Sequence, residues 1–555
     1  MKKPAMHGGR PVRGLESTAQ STINGQAKFG RMFRWLEPAQ NPRNAEEKIK
    51  LEAAFAEMAK EMVPDEFNAN ITGKKFPDGH GGFLPDAPIT EREQADENDT
   101  IPAGYTYFGQ FVDHDITFDP ASSIQQTNDP DALVDFRTPR LDLDCIYGSG
   151  PADEPYLYSR ASERKLFVLG DMKSPDKKSS PDLHRTQDHT AIIGDKRNDE
   201  NKIVSQIQAL FLGLHNKVYA AIGDRFKNED NDDRFNEAQR IVRWTYQWIV
   251  LRDFLPKICD AKVYDSIKPS DGDHKGPHLS HYTTHGDAYI PVEFSVAAYR
   301  FGHSMVRPSY SLNTTVLTTP SAQFEDEKGK SHNFGRVPIF VGKSKKNTDA
   351  MNGFGEPLPD FWGIDWGFFF GKLGTQPNKK PQIPQPSYRI DTKLVNPLGN
   401  LPEFAVHKMK QPFESLAFRN LLRGSSMGLP SGQRIARMMG LKDTEILTDE
   451  ELWHKRCDGD DVEDWSAGKN ILNNNLMWFQ ESAPLWFYIL KEAEMKGNKG
   501  RHLGRVGSTI VAETLFGLAW ADHYSYLFQE PQWNPKKENV GLSANPDMLE
   551  LTKFV

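Results

Sequence analysis

The stretch YFGQFVDHDITFDP, residues 107–120, holds Asp113, His114 and Asp115 inside an apolar and aromatic frame. Ionisable groups so enclosed are costly unless they are paired, bound to a metal or neutralised. A metal site, a catalytic site and a buried hydrogen-bond network each account for them. Read as a helix, the segment advances by about 100° per residue. With Gln110 at zero, Asp113 then falls at about 300°, His114 at about 40° and Asp115 at about 140°. Gln110, Asp113 and His114 share one broad face, and Asp115 leaves it. The triplet therefore serves two sides of the helix and does not converge on one metal.

Helical periodicity recurs outward from this segment. It is found in NAEEKIKLEAAFAEMAKEM (44–62), KIVSQIQALFLGLHNKVYAAIGDRF (202–226), DDRFNEAQRIVRWTYQWIVLRDFLPKI (232–258), PVEFSVAAYRFGHSM (291–305) and SAPLWFYILKEAEMKG (482–497). Strand-like alternation is scarce and short, and no internal repeat is seen. Polar insertions at 325–337 and 447–465 separate the helices. The start of the chain, to about residue 40, reads as a loosely packed polar arm, and a Gly/Pro-rich connection covers 76–104. A mainly α fold with few short strands is expected, with an N-terminal extension over 1–100 (arm plus one helix) and one large domain over 101–555. The aromatic runs WTYQWIV and PLWFYIL read as core.

Composition narrows the function. The 555 residues are 37% hydrophobic and 26% charged, with a net charge of -8. Lys and Arg are dispersed, so no nucleic-acid-binding face is expected. No apolar run reaches the roughly 20 residues of a membrane span. The basic start MKKPAMHGGRPVRGLES lacks an apolar core, so the expected compartment is the cytosol, with leaderless secretion as the other route. The three cysteines, Cys145, Cys259 and Cys457, are far apart and support neither a disulfide framework nor a zinc ribbon.

RTPRLDLDCIYGSG (137–150) alternates Thr138, Arg140, Asp142 and Asp144 with Pro139, Leu141 and Leu143. In an extended chain one side would offer a hydroxyl, the Arg140 carbonyl and two carboxylates. These are hard oxygen donors suited to calcium, and Asp115 could join them from the helix. An edge strand with a solvated polar face is the other reading. The acidic run NEDNDDRFNE (228–237) lacks the glycine of an EF-hand loop and reads as a helix start.

GQFVDHD, DLDCIYGS, GDKRNDEN, AAYRFGHSM and RNLLRGSSMGLPSG occur in that order. Over roughly residues 100–530 the chain resembles the peroxidase–cyclooxygenase superfamily, the animal-type haem peroxidases of the myeloperoxidase and lactoperoxidase kind, as a bacterial-type member. The resemblance implies haem b, calcium and hydrogen peroxide, with halide, thiocyanate or phenolic donors oxidised through an oxoferryl haem. A monomer is expected. His114 falls at the distal histidine, Gln110 at the glutamine one turn before it and Arg197 at the distal arginine. His303 falls at the proximal iron ligand and Asn420 at the asparagine that bonds its ring. Asp113 and Glu200 match the carboxylates that form ester bonds to haem. Asp115, Thr138, Arg140 through its carbonyl, Asp142 and Asp144 match the calcium ligands, although the family usually has Ser where Asp144 stands. Asn201 replaces the methionine of the third covalent bond, and this departure argues against efficient chloride oxidation.

In such a site a neutral imidazole at His114 accepts a proton from peroxide and returns it. Arg197 keeps that imidazole neutral and stabilises the leaving oxygen. At i,i+3 spacing, Arg197 and Glu200 are expected to face the haem edge together if helical. A bond from the His303 N–H to Asn420 would orient the ring. His215 reads as structural. The rival readings are a fatty-acid dioxygenase of the same fold and a silent adhesion protein. The first carries a radical-forming tyrosine three residues before the proximal histidine; here that position is Arg300, with Tyr299 one residue further back. The second has no use for His114, Arg197, His303 and Asn420 together.

Overall fold

The computed structural model describes residues 29–63, 95–117, 138–173, 180–270, 276–284, 288–314, 323–325, 331–333, 336–340, 350–353, 357–359, 362–374, 383–399, 401 and 412–555. Phe118–Pro120, Arg137 and most of the 76–104 connection lie outside them. The fold is mainly α, as expected. Among the described residues the strands form only two-stranded pairs.

Helix α1 (Ala45–Met62) opens on Asn44, whose side chain accepts from the Glu47 N–H at 2.9 Å, with Glu46 and Glu47 in the first turn. Its buried stripe is Leu51, Ala54, Phe55, Met58 and Met62, spaced by three or four residues. The stripe packs on the helix Leu416–Ser426 and shares the common core. Strand β1 (Glu97–Pro102) pairs antiparallel with β2 (Pro386–Tyr388), so a division at residue 100 falls inside a strand. Pro102 ends β1, and α2 (Gly104–Ile116) follows at once. A Cβ on Gly104 would come within 2.5 Å of the Phe370 ring and 2.7 Å of the Phe369 carbonyl, so only glycine allows α2 to start this close to that loop.

Helix α3 (Lys202–Ala221) is capped by Asn201, whose side chain accepts from Ile203 N at 3.0 Å and Val204 N at 2.9 Å. It is buried along most of its length and packs against α2 and α4 (Asn231–Trp248). The expected helix over 232–258 is interrupted by a π turn at Ile249–Phe254 before a last turn at Leu255–Ile258. That stretch carries Asp253, whose Oδ2 accepts from the Tyr105 hydroxyl at 2.7 Å and from Met548 N at 3.0 Å. The start of α2 is thereby tied to the C-terminal helix Met548–Phe554.

Two expectations need correction here. The segment 291–305 is not one helix: Val292–Val296 is a short helix, Ala297 leaves the helical region at φ −130°, and Ala298–His303 is wound as 3₁₀. In a 3₁₀ turn residues three apart eclipse, so Arg300 lies in line with His303. The described part of the N-terminal arm is fastened rather than loose. Phe29–Gly30 pairs in parallel with Ile290–Pro291, and the buried Glu293 carboxylate accepts from Met32 N at 3.0 Å and Phe33 N at 3.1 Å.

Helices α5 (Leu416–Ser426), α6 (Leu485–Lys496) and α7 (Arg505–Ala521) close the proximal side, with α6 and α7 packed on the 3₁₀ segment. The 447–465 insertion forms the helix Asp449–Trp453, with a capping box at Thr448, and a hairpin of Lys455–Asp458 with Asp461–Asp464.

Candidate active site

Helix α2 packs against both α3 and the 3₁₀ segment that ends at His303. Its peroxide-side candidates gather against the turn Lys196–Asp199 and Glu200. Buried His114 has Nδ1 2.7 Å from Asn198 Oδ1. The Asn198 amide NH2 is given to Gln208 Oε1 at 2.7 Å, so its oxygen is left to accept the ring proton. His114 Nε2 is then the unprotonated nitrogen, and it lies 3.7 Å from Glu200 Oε1. Burial first, and the Arg197 charge second, push the His114 pKa down to about 4. Gln110 Nε2 donates to the same Glu200 Oε1, and Gln110 Oε1 accepts from Asn201 Nδ2 at 3.2 Å. Asn201 thus caps α3 and also fixes the Gln110 amide.

Arg197 and Glu200 do not share a face as expected. Glu200 turns to Gln110 and His114. Arg197 Nη2 donates to the His114 carbonyl at 2.9 Å, to the Thr117 carbonyl at 2.5 Å and to Asp195 Oδ2 at 2.9 Å. The last carbonyls of a helix lack partners within it, and a cation suits that negative end. Arg197 is therefore a clamp on the end of α2, and it acts on the imidazole through its charge.

Asp113 is half-buried and accepts from Thr117 Oγ1 at 3.1 Å. Its charge acts on His114 and also on Tyr299 and Arg300, so it stands between the two histidine-bearing elements.

On the proximal element, Asn420 Nδ2 lies 2.9 Å from His303 Nδ1, and Arg300 Nη1 donates to Asn420 Oδ1 at 3.1 Å. Arginine only donates, so the amide oxygen is committed to Arg300 and the NH2 points at the ring. This reverses the expected direction, in which the ring N–H would donate to Asn420. The cause is the eclipsed Arg300 below His303. Burial, with Arg300 and Arg419 beside it, lowers the His303 pKa to about 3.

The residues fit a haem. His303, Gln110, Asp113 and Glu200 are half-buried although the elements that carry them lie in the core. A Cβ built on Gly302 would meet nothing within 4 Å among the described residues, so these leave room beside the His303 imidazole. Arg300 feels the charges of Arg419 and Arg423, a positive wall for a ligand that carries carboxylates.

On the far side of α2, ligand oxygens of Asp115, Asp142 and Asp144 lie within 4.8 Å of one another, and all three residues are buried. Asp115 Oδ2 accepts from Leu143 N at 3.2 Å, but its Oδ1 has no hydrogen-bond partner among the described residues. Burial, then Asp142 and Asp144, raise the Asp115 pKa well above the usual carboxylate range. Thr138 Oγ1 donates to Asp142 Oδ2 at 2.9 Å. The exposed Arg140 is held by its N–H to the Thr138 carbonyl at 2.7 Å. The loop is not the extended chain expected from its alternation. It bends through 139–142, Leu143 takes φ +56°, and Asp144 starts the helical turn Asp144–Tyr147. That left-handed residue brings together two carboxylates that an extended chain would hold about 7 Å apart. An orphaned carboxylate oxygen among three buried acids fits a hard divalent cation.

His215 is a structural residue: Nδ1 lies 3.0 Å from the Tyr147 hydroxyl and Nε2 3.0 Å from the Lys165 carbonyl. All three cysteines are free and buried. Sequence reasoning missed Asn198, Gln208 and Arg300. Gln208 had a signal, since a glutamine in the apolar run IVSQIQALF needs a partner once buried.

Comparison with known proteins gives this geometry its relatives. The family described as animal haem peroxidase matches residues 121–352. Pig (Sus scrofa) thyroid peroxidase is 27% identical over 215 residues, 36% of this chain and 22% of that protein. Over these matched parts the chain is similar to the animal haem peroxidases. The chain spans less than a quarter of the length of that thyroid peroxidase. Among solved structures, peroxidase A from Dictyostelium discoideum aligns with a TM-score of 0.51 at 16% identity, covering 85% of this chain and 90% of that one. The fatty acid alpha-dioxygenase of Oryza sativa aligns at 0.53 and 15% identity, covering 89% and 80%. At such identities both speak for the fold alone.

Proposed function

We propose that the chain is a haem peroxidase that reduces hydrogen peroxide and oxidises small anionic or phenolic donors. The observation that carries this reading is a pair of desolvated, neutral imidazoles, His114 and His303, on packed elements, with the half-buried Asp113 between them. Haem b, when bound, would supply an iron that takes oxidising equivalents from peroxide and delivers them to the donor.

His303 would hold the iron. With Asn420 donating to Nδ1, the neutral ring keeps its proton on Nε2, so ligation through Nε2 requires that proton to leave or the amide to turn. Arg300, Arg419 and Arg423 would meet the carboxylates of the group, and Asp113 and Glu200 would be the ester-forming carboxylates at its edge. His114 Nε2, unprotonated at neutral pH, would accept a proton from one peroxide oxygen and return it to the other. The Gln110 NH2, oriented by Asn201 and Glu200, offers a donor beside that nitrogen. Calcium bound by Asp115, Asp142, Asp144, Thr138 and the Arg140 carbonyl would hold α2, and with it His114, in register.

Steady-state kinetics with iodide, bromide, chloride, thiocyanate and a phenol test the reading. Peroxide-dependent turnover is expected with iodide, thiocyanate and the phenol, with chloride the poorest donor because Asn201 replaces methionine. The dioxygenase reading is disfavoured because Arg300 stands at the radical-tyrosine position and is engaged with Asn420. Strong oxygen uptake with an unsaturated fatty acid and no peroxide would overturn the peroxidase reading.

A further inference from the structure

One chain of side-chain hydrogen bonds runs from His114 into the interior. The ring Nδ1 meets Asn198 Oδ1 at 2.7 Å, Asn198 Nδ2 donates to Gln208 Oε1 at 2.7 Å, and Gln208 Nε2 donates to the Cys145 carbonyl at 3.2 Å. His114 is 5% exposed, and Asn198, Gln208 and Cys145 are fully buried, so water cannot replace any link. The chain has a fixed polarity. A backbone carbonyl only accepts, so Gln208 must turn its NH2 to Cys145 and its oxygen to Asn198. Asn198 must then turn its NH2 to Gln208 and its oxygen to the ring. The ring has one way to complete the series, by carrying its proton on Nδ1.

The opposite tautomer has a competitor acting for it. Glu200 Oε1 lies 3.7 Å from His114 Nε2 and would attract a proton on that nitrogen. Alone, it would favour the form in which Nε2 has no lone pair to offer. The 2.7 Å contact with Asn198 is a full hydrogen bond, whereas 3.7 Å is beyond hydrogen-bond range.

We propose that Asn198 and Gln208 are positioning residues that lock His114 in the Nδ1-protonated tautomer, so that Nε2 faces the cleft as a base. The kinetic consequence rests on the peroxidase reading; the tautomer does not. The polarity originates at Cys145, the residue after Asp144 in the carboxylate loop, so the loop and the distal imidazole share one hydrogen-bonded unit.

The test uses full-length protein labelled with ¹⁵N-histidine and free of haem. The tautomer of His114 is read from its two nitrogen shifts, assigned by their loss in H114Q. Wild type is expected to show Nδ1–H. Asn198→Leu and Gln208→Leu remove an acceptor and should move the ring toward Nε2–H. Asn198→Asp keeps an acceptor for Nδ1 and should keep the wild-type tautomer. In the haem-loaded enzyme, N198L should lower the rate constant for peroxide by about 10- to 100-fold without changing the donor KM, and N198D should recover most of it. Nε2–H in wild type, or Nδ1–H retained in N198L, overturns the inference. If N198L does not fold, wild type, Q208L and N198D decide it. An absence of peroxide reactivity in wild type would overturn the proposed function, and the tautomer would still be decided on the haem-free protein.

Discussion

Replacing His114 by leucine is expected to lower the rate constant for reaction with hydrogen peroxide by about 10²- to 10⁴-fold, the range lost when a positioned acid–base group is removed. Haem uptake should be unchanged, because His303, Asn420 and the arginines beside them lie on other elements. Leucine suits the buried site, and Glu200, which also faces it, keeps its partner Gln110, so folding should survive. The acidity of the ring gives a second readout. Burial and Arg197 hold the His114 pKa near 4, so the base form prevails above that value. The peroxide rate constant should therefore be flat from neutral pH downward and fall through about 4, and this limb should be absent in H114L. Stopped-flow mixing with peroxide measures both. An H114L enzyme that reacts at the wild-type rate would remove His114 from the mechanism.

Calcium should stabilise the protein by an amount that grows with pH. Three ionised carboxylates at 4.8 Å would repel by about 3 kcal/mol per pair at an effective dielectric constant of about 20. Without a cation, burial and the neighbouring Asp142 and Asp144 raise the Asp115 pKa, so folding favours its protonated form. A carboxyl raised in the folded state costs stability as pH rises from its unfolded value of about 3.9 toward its folded one. A divalent cation removes that cost. The gain in Tm from calcium over a chelator should be small at pH 5 and several degrees at pH 8. At calcium about 100-fold above Kd the gain corresponds to about 2.7 kcal/mol. D115A should abolish the response. Because α2 carries Asp115 and His114 on adjacent residues, chelation should also slow the peroxide step. A Tm indifferent to calcium at pH 8 would contradict the site.

The helical period made α1, α3 and most of α4 legible, because their apolar stripes depend on spacing alone. The angle between His114 and Asp115 was legible for the same reason. The break at Ala297 was not, since SVAAY around it carries no proline or glycine and the 3₁₀ winding that follows packs against α6 and α7. Leu143 in the left-handed region could not be foreseen either, because that conformation is rare for a branched side chain. The engagement of Arg197 with the end of α2 depends on contacts across about 80 residues of chain, which no local pattern encodes. Arg300 was noted only as a missing tyrosine. Its bond to Asn420 follows from a 3₁₀ register that the sequence conceals.

The central claim is that His303 is the residue through which this chain holds haem. Equimolar haem titrated into wild type and H303A, followed at the Soret band, tests it most directly. Wild type should bind stoichiometrically with a sharp Soret band, and H303A should show only the broad absorption of loosely held haem. A wild type that stays colourless, or an H303A protein with the wild-type spectrum and affinity, would contradict it.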